Sequence, residues 1–207
     1  MRKFIKKIAS FSPFGGWGAY AVLIACTIGS LFIGCSKDDG GGDKNSDPTT
    51  SDLLEVKQGK IVYDAPNSKT ITVWFDNYGK QWREEFDGNM YILDDTAGKA
   101  WQADMNMKTY RERELWFVQA YFSRYIFNSD DVEFFLDEGY TTGTETIAGK
   151  SCTVYADASN KKLGFWKKLL FLDAIAVNGE VRQKAISFSE IAPPEGTFLP
   201  PADYTKE

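Results

Sequence analysis

Between residues 60 and 107 the side chains switch between apolar and polar at every second position, and turn signals break the pattern at short intervals. Ile71, Val73 and Phe75 alternate with Thr72, Trp74 and Asp76. Trp82, Glu84 and Phe86 share one face of the next segment, and Gln81, Arg83 and Glu85 share the other. Trp101, Ala103 and Met105 repeat the pattern. A period of two is the signature of a strand with unlike faces. Pro66-Asn67, Asn77-Tyr78-Gly79 and Asp87-Gly88 are turn signals, the last a hairpin type. The reading is a meander of antiparallel strands, and its oily face must be covered by something.

The cover is written in the middle of the chain, where the period changes. Leu115, Val118, Phe122 and Tyr125 recur at spacings of three and four, which predicts an amphipathic helix within 110–127. A shorter helix is expected to begin after Asn128 or Ser129, to hold Val132, Phe134, Phe135 and Leu136, and to stop at Gly139. Strands then return. Residues 151–155 alternate after the Gly149-Lys150 turn, Leu163 and Phe165 mark another strand, and 169–177 form a largely apolar one. Asn178-Gly179 is the strongest hairpin signal, with a return strand through Val181, Ile186 and Ile191. The tail 193–201, with four prolines, is extended because proline excludes regular helix and central strand. The fold class is therefore α+β.

The first 51 residues are set apart from this domain, which spans 52–207. Arg2, Lys3, Lys6 and Lys7 precede an uncharged run over 17–34, about the roughly 20 residues that cross a bilayer. The run ends in Gly34-Cys35, and a polar, acidic, glycine-rich stretch follows at once. Phe32-Ile33-Gly34-Cys35 resembles the lipobox of bacterial lipoproteins, although Phe32 stands where leucine is usual. On that resemblance residues 1–34 are a cleaved signal peptide, Cys35 carries the lipid, and 35–51 form a flexible tether. A plain transmembrane anchor with an incidental cysteine would share the apolar run, but not the small-residue–cysteine junction or the tract after it. The acidic tract Ser36–Asp43 is similar to the export signal of surface lipoproteins of the Bacteroides group. That similarity implies a chain lipid-anchored in the outer membrane and facing outward; a periplasm-facing location stays open.

Composition removes several chemistries. The chain has no histidine, which excludes the Ser-His-Asp triad, the Cys-His dyad and histidine-dependent metal motifs. Of three cysteines, Cys26 leaves with the signal peptide and Cys35 is acylated. Cys152 then has no intrachain partner, and a strand position makes it an inert buried thiol rather than a reactive one. Four of the 24 basic residues precede residue 8, so nine more acidic than basic residues follow. A nucleic-acid partner is not expected on an acidic surface.

Two carboxylate groups invite comparison with known chemistry. Asp130, Asp131, Glu133, Asp137 and Glu138 are spread along a helix, which suits a solvated face and favourable N-terminal charges better than a calcium loop. Glu84 and Glu85 lie near Trp82, as carboxylates and aromatics do in sugar-cleaving clefts. Adjacent strand residues point to opposite faces, so this pair alone is no catalytic dyad. The expectation is a protein without enzymatic activity, metal or cofactor.

The segment 144–155, TETIAGKSCTVY, followed by Phe165-Trp166-Lys167 and the apolar hairpin, resembles the outer-membrane lipoprotein carriers and acceptors (LolA/LolB-like) and their many relatives. Phe198-Leu199-Pro200 looks like their ending. The resemblance implies a curved antiparallel sheet, an incomplete barrel, covered on its concave side by helices. It also implies an apolar ligand such as an acyl chain between sheet and helices. Trp74, Phe86, Trp101, Trp116, Phe122, Phe165 and Phe171 are the candidates to line that space, or to fill it as an ordinary core. Anchoring through Cys35 makes the chain more like a membrane-bound acceptor than a soluble carrier. The alternative is a surface module with a filled core, in which exposed aromatics among Trp74, Tyr78, Trp82, Tyr91, Trp101 and Trp166 bind glycan or a protein partner.

Overall fold

The computed structural model describes residues 53–159, 161–174 and 181–207. The expected signal peptide, Cys35, the tether and the Asn178-Gly179 turn lie outside the described residues. The strands are β1 (Gly59–Ala65), β2 (Lys69–Asp76), β3 (Gln81–Phe86), β4 (Asn89–Asp94), β5 (Lys99–Asp104) and β6 (Thr109–Glu112). Two helices follow, α1 (Leu115–Ser123) and α2 (Ser129–Asp137). The chain then forms β7 (Thr141–Ile147), β8 (Lys150–Ala156), β9 (Lys162–Trp166), β10 (Leu169–Ala174), β11 (Gln183–Ser189) and β12 (Thr205–Lys206).

All twelve strands form one sheet in the order β12-β6-β5-β4-β3-β2-β1-β11-β10-β9-β8-β7. Every pairing is antiparallel except the short parallel contact of β12 with β6. The edges are β12 and β7, so the sheet is open. It is also curved. In a flat sheet β8 and β11, three places apart, would be separated by about 14 Å. Here the Lys150 ammonium at the start of β8 meets Glu190, just past β11, at 3.3 Å and sits 5.2 Å from the Phe188 ring centre. Register breaks help the bend: Val62 faces Ser187 but Tyr63 faces Ala185, leaving Ile186 as an extra, exposed residue.

The period of two sets the faces. Cross-strand pairs Val73–Glu84, Phe75–Trp82, Trp82–Leu93, Glu84–Tyr91 and Leu93–Ala100 put these side chains on one face. That face belongs to the main core with Ile61, Tyr63 and Ile71, all fully buried. On the other face, Met90, Ile92, Trp101 and Ala103 make a second, smaller cluster. Phe198 and Tyr204 from the tail pack against it; the tail is not extended throughout as expected but turns at 194–199, where the Thr197 N–H donates to the Pro194 carbonyl and the Leu199 N–H to the Gly196 carbonyl, each at 3.1 Å. The prolines keep the tail from joining the sheet until β12, so it is free to lie over the back.

Helix α1 presses Val118 and Phe122 into the main core. Asn128 and Asp131 cap the start of α2 reciprocally, each backbone N–H donating to the other's side chain at 3.0 Å. Phe135 of α2 stacks on Tyr155 and Phe127. The helix ends as Gly139 takes a φ of +82°.

The β7–β8 hairpin turns on Ala148 and Gly149, both in the left-handed region at φ 47° and 76°. That is the two-residue geometry for which Asn-Gly is preferred. An alanine there carries strain of order 1 kcal/mol that asparagine largely avoids. Ala148→Asn is therefore expected to stabilise the domain by about 1 kcal/mol and raise Tm by about 2–4 °C. A calorimetric melt that is unchanged or lower would refute the turn assignment.

Candidate functional site

The interior beneath α1 is built from rings around one carboxylate. Trp82 stacks on Phe122 at 5.5 Å and on Tyr125 at 5.7 Å between ring centres. Tyr125 in turn stacks on Tyr63 at 5.8 Å, and the Tyr63 hydroxyl donates to the Leu170 carbonyl at 2.7 Å. Trp82 donates its indole N–H to the Gly79 carbonyl. Within this apolar setting sits Glu84, only 1% exposed.

Glu84 is there because its strand neighbours two positions away, Trp82 and Phe86, face the core. Three donors come down from the helix end to meet it. The hydroxyls of Tyr121 and Tyr125 and the guanidinium of Arg124 all donate to its two oxygens. Arg124 also donates to the Tyr121 and Tyr125 oxygens, at 2.9 and 3.1 Å. Its guanidinium lies 3.9 Å from the Tyr121 ring centre and 4.9 Å from that of Tyr125. One donor, the Arg124 Nε, is buried without an acceptor. Tyr91 stacks on Tyr121 at 4.4 Å and closes the side.

The electrostatics follow from burial and from this pairing. Burial holds the hydroxyls of Tyr63, Tyr121 and Tyr125 above the ordinary tyrosine range, and the nearby Glu84 charge pushes the same way. Burial works against the Arg124 cation, but Tyr125, Glu84 and Tyr121 outweigh it and its pKa is raised. The cluster is thus a carboxylate, a guanidinium and two protonated phenols, all engaged with one another. It can fasten or release a helix. It offers no second carboxylate, because Glu85 faces away and pairs with Arg83 at 2.6 Å.

The seven aromatic residues singled out from the sequence are dispersed. Phe122, Phe165 and Phe171 lie in the main core, with Phe86 packed at its margin. Phe165 stacks on Phe127 at 4.0 Å, and Phe171 meets Trp166 and Phe188. Trp101 belongs to the cluster on the opposite face. Trp74 is on that face too, half-buried under the Lys60 ammonium at 5.2 Å. Trp116 is 61% exposed on α1. These seven side chains therefore do not line one space, and the alternation that sets Trp74 against Val73 and Phe75 explains its position.

The surface of the described residues includes two depressions. One, of about 400 Å³, opens at the start of α1 between Gly98, Ala100 and Leu115. The other, of about 320 Å³, lies between Asp76, Gln81, Asp94 and the tail 193–199. Cys152 is fully buried, its thiol pushed up to about 11 by burial. Among the described residues no three potential metal-binding side chains gather, and no helix is long and apolar enough to cross a membrane.

Arg124 was not visible from the sequence as a site residue, although a signal existed. A carboxylate placed by alternation between Trp82 and Phe86 requires a cation from another element.

No protein-family model matches the chain, and no curated protein matches it. Among solved structures it is similar to an uncharacterized conserved protein from Thermus thermophilus, at 10% identity and a TM-score of 0.46, over 74% of this chain and 91% of that one. It is also similar to MucB, at 18% identity and a TM-score of 0.43, over 75% of this chain and 60% of that one. MucB in complex with MucA(peri) gives a TM-score of 0.35 at 18% identity, over 72% of this chain and 55% of that one.

Proposed function

We propose that this chain is a non-enzymatic binding protein, anchored in the outer membrane through a lipid on Cys35 and facing outward, which takes an apolar ligand such as an acyl chain between the sheet and α1. The observation that supports this reading is the character of the seam under α1. A nine-residue helix is marginal by itself. Its first turn lacks a side-chain cap, and only Val118 and Phe122 among its residues are fully buried. Its far end is fastened by the Glu84 cluster. A buried ion pair contributes little net stability compared with apolar packing, yet breaks all at once when one member is lost. Such a seam suits a lid over the hollow of the curved sheet, with Trp82, Phe122 and Phe86 able to part around a chain. Closed, the site is filled by its own rings.

The test is binding of a fluorescent fatty acid to the detergent-solubilised, lipidated protein. Glu84→Gln keeps the shape and weakens the latch, and is expected to tighten probe binding about tenfold (about 1.4 kcal/mol) by easing the opening. Absence of binding by both proteins would sink the acyl-site reading. Anchoring is read separately by mass: the wild-type protein should begin at an acylated Cys35, whereas Cys35→Ser should lack the acyl mass and retain residues 1–34.

A second reading, a surface module with a filled core, is favoured by the exposed Phe134, Leu136 and Trp116, at 59%, 52% and 61%. It predicts that Phe134→Ser abolishes partner capture while Glu84→Gln changes nothing.

A further inference from the structure

One end of the sheet is stitched together by backbone hydrogen bonds that run from turn to turn. Arg113 N–H, before α1, donates to the Ala100 carbonyl at 2.9 Å. Asp95, in the β4–β5 turn, donates to Lys80, in the β2–β3 turn, at 2.9 Å. Leu54 donates to Tyr78 in that same turn at 3.0 Å, and Glu55 donates to Lys167 in the β9–β10 turn at 3.3 Å. The Gln119 side chain adds a 2.7 Å bond from α1 to Asp95. The chain therefore comes into the described domain at Leu53 in the midst of these turns.

This end presents two large side chains to solvent, Trp116 at 61% and Tyr78 at 43% exposure. Neither is needed by the core. Lys57, Lys99 and Lys167 are exposed at the same end, in or next to the segments that these bonds join. Glu55 and Glu114 are exposed at the same end, so charge alone would not hold it against an anionic surface. Aromatic rings with a polar edge, flanked by lysines, are what settles in the headgroup layer of a bilayer.

We propose that this end is the membrane-facing surface of the protein, with Trp116 and Tyr78 set into the headgroup layer and the three lysines directed at lipid phosphates. The inference rests on the anchoring through Cys35. Seventeen residues, 36–52, separate Cys35 from Leu53. A flexible chain of that length has a root-mean-square span of about 23 Å. A 155-residue domain has a radius of gyration of about 15 Å, hence a diameter well beyond the mean tether span. The end into which the tether feeds is thus the one held nearest the bilayer, at a high local concentration of lipid headgroups. Contacts too weak to recruit a free protein become sufficient to orient an anchored one.

The experiment uses the full lipidated protein in vesicles of phosphatidylethanolamine and phosphatidylglycerol, with and without brominated acyl chains, which quench nearby tryptophan. Wild-type emission should fall in brominated vesicles. Trp116→Phe should remove at least about half of that quenching, whereas Trp74→Phe should retain it, because Trp74 belongs to the sheet's back. Protein that floats with the vesicles but is not quenched, or is quenched equally after Trp116→Phe, overturns the docking surface and leaves the anchor intact. Protein that neither floats nor carries an acyl mass on Cys35 overturns the anchor and this inference with it.

Discussion

Glu84→Ala should lower the stability of the domain by about 3 kcal/mol, measured as a shift of the urea midpoint at unchanged slope. The loss of a carboxylate is not itself the main cost. It leaves the Arg124 cation against two aromatic rings with no counter-charge, and it deprives the Tyr121 and Tyr125 hydroxyls of their acceptor. Because 28% of the Arg124 side chain reaches solvent, the cost belongs at the low end of the roughly 3–5 kcal/mol typical of broken buried pairs. Removing all the members together tells the rest. Glu84→Leu combined with Arg124→Leu, Tyr121→Phe and Tyr125→Phe should lie within about 1 kcal/mol of the wild type, since neither an uncompensated charge nor a hydroxyl without its acceptor remains. A single variant as stable as the wild type would show that the cluster does not fasten α1.

Trp82→Ala is expected to be costlier, at about 4 kcal/mol, with Tm lower by about 8–16 °C in a thermal melt. Trp82 is 1% exposed and touches Phe75, Phe122 and Tyr125 at once. Its removal opens a hole where sheet and helix meet, and rigid rings cannot collapse into it. For a domain whose whole stability is of order 5–15 kcal/mol, that is a large share. The control is Trp74→Ala on the opposite face of the neighbouring strand, expected to cost below about 1 kcal/mol because its ring is half-buried under a lysine stem. Equal costs at the two positions would contradict the assignment of faces.

Alternation and turn chemistry made most of the strands legible. Residues 71–76 and 81–86 carry the period strongly, and Asp87-Gly88 marks a turn that the structure contains, with φ of 51° and 77°. The α1 stripe was readable too, although the helix stops at Ser123 and Tyr125 is buried just beyond it. Three strands gave no signal. In β6 only Tyr110 is apolar, and its neighbours read equally well as the start of a helix. The edge strand β7 is exposed at most positions, so no buried face imposes a period. β12 is two residues long. The site was half legible. Periodicity puts Glu84 on an apolar face, but pairing with Arg124, forty residues away, depends on where α1 comes to rest. Faces across the sheet were the harder matter, and that is why Trp74 and Trp101 were grouped with Phe122 from sequence.

The position of β1 has a consequence for how the chain is made. This first strand lies in the middle of the sheet, hydrogen-bonded to β2 on one side and to β11 on the other. A nascent chain that has reached Ala174 still has one side of its central strand bare. The two halves join only when residues 183–189 arrive, more than a hundred residues after β1. Such distant pairing is slow to form. Under the export proposed above, lateness of this kind is protective: the architecture cannot lock until residues 183–189 have followed β1 to β10 across the membrane.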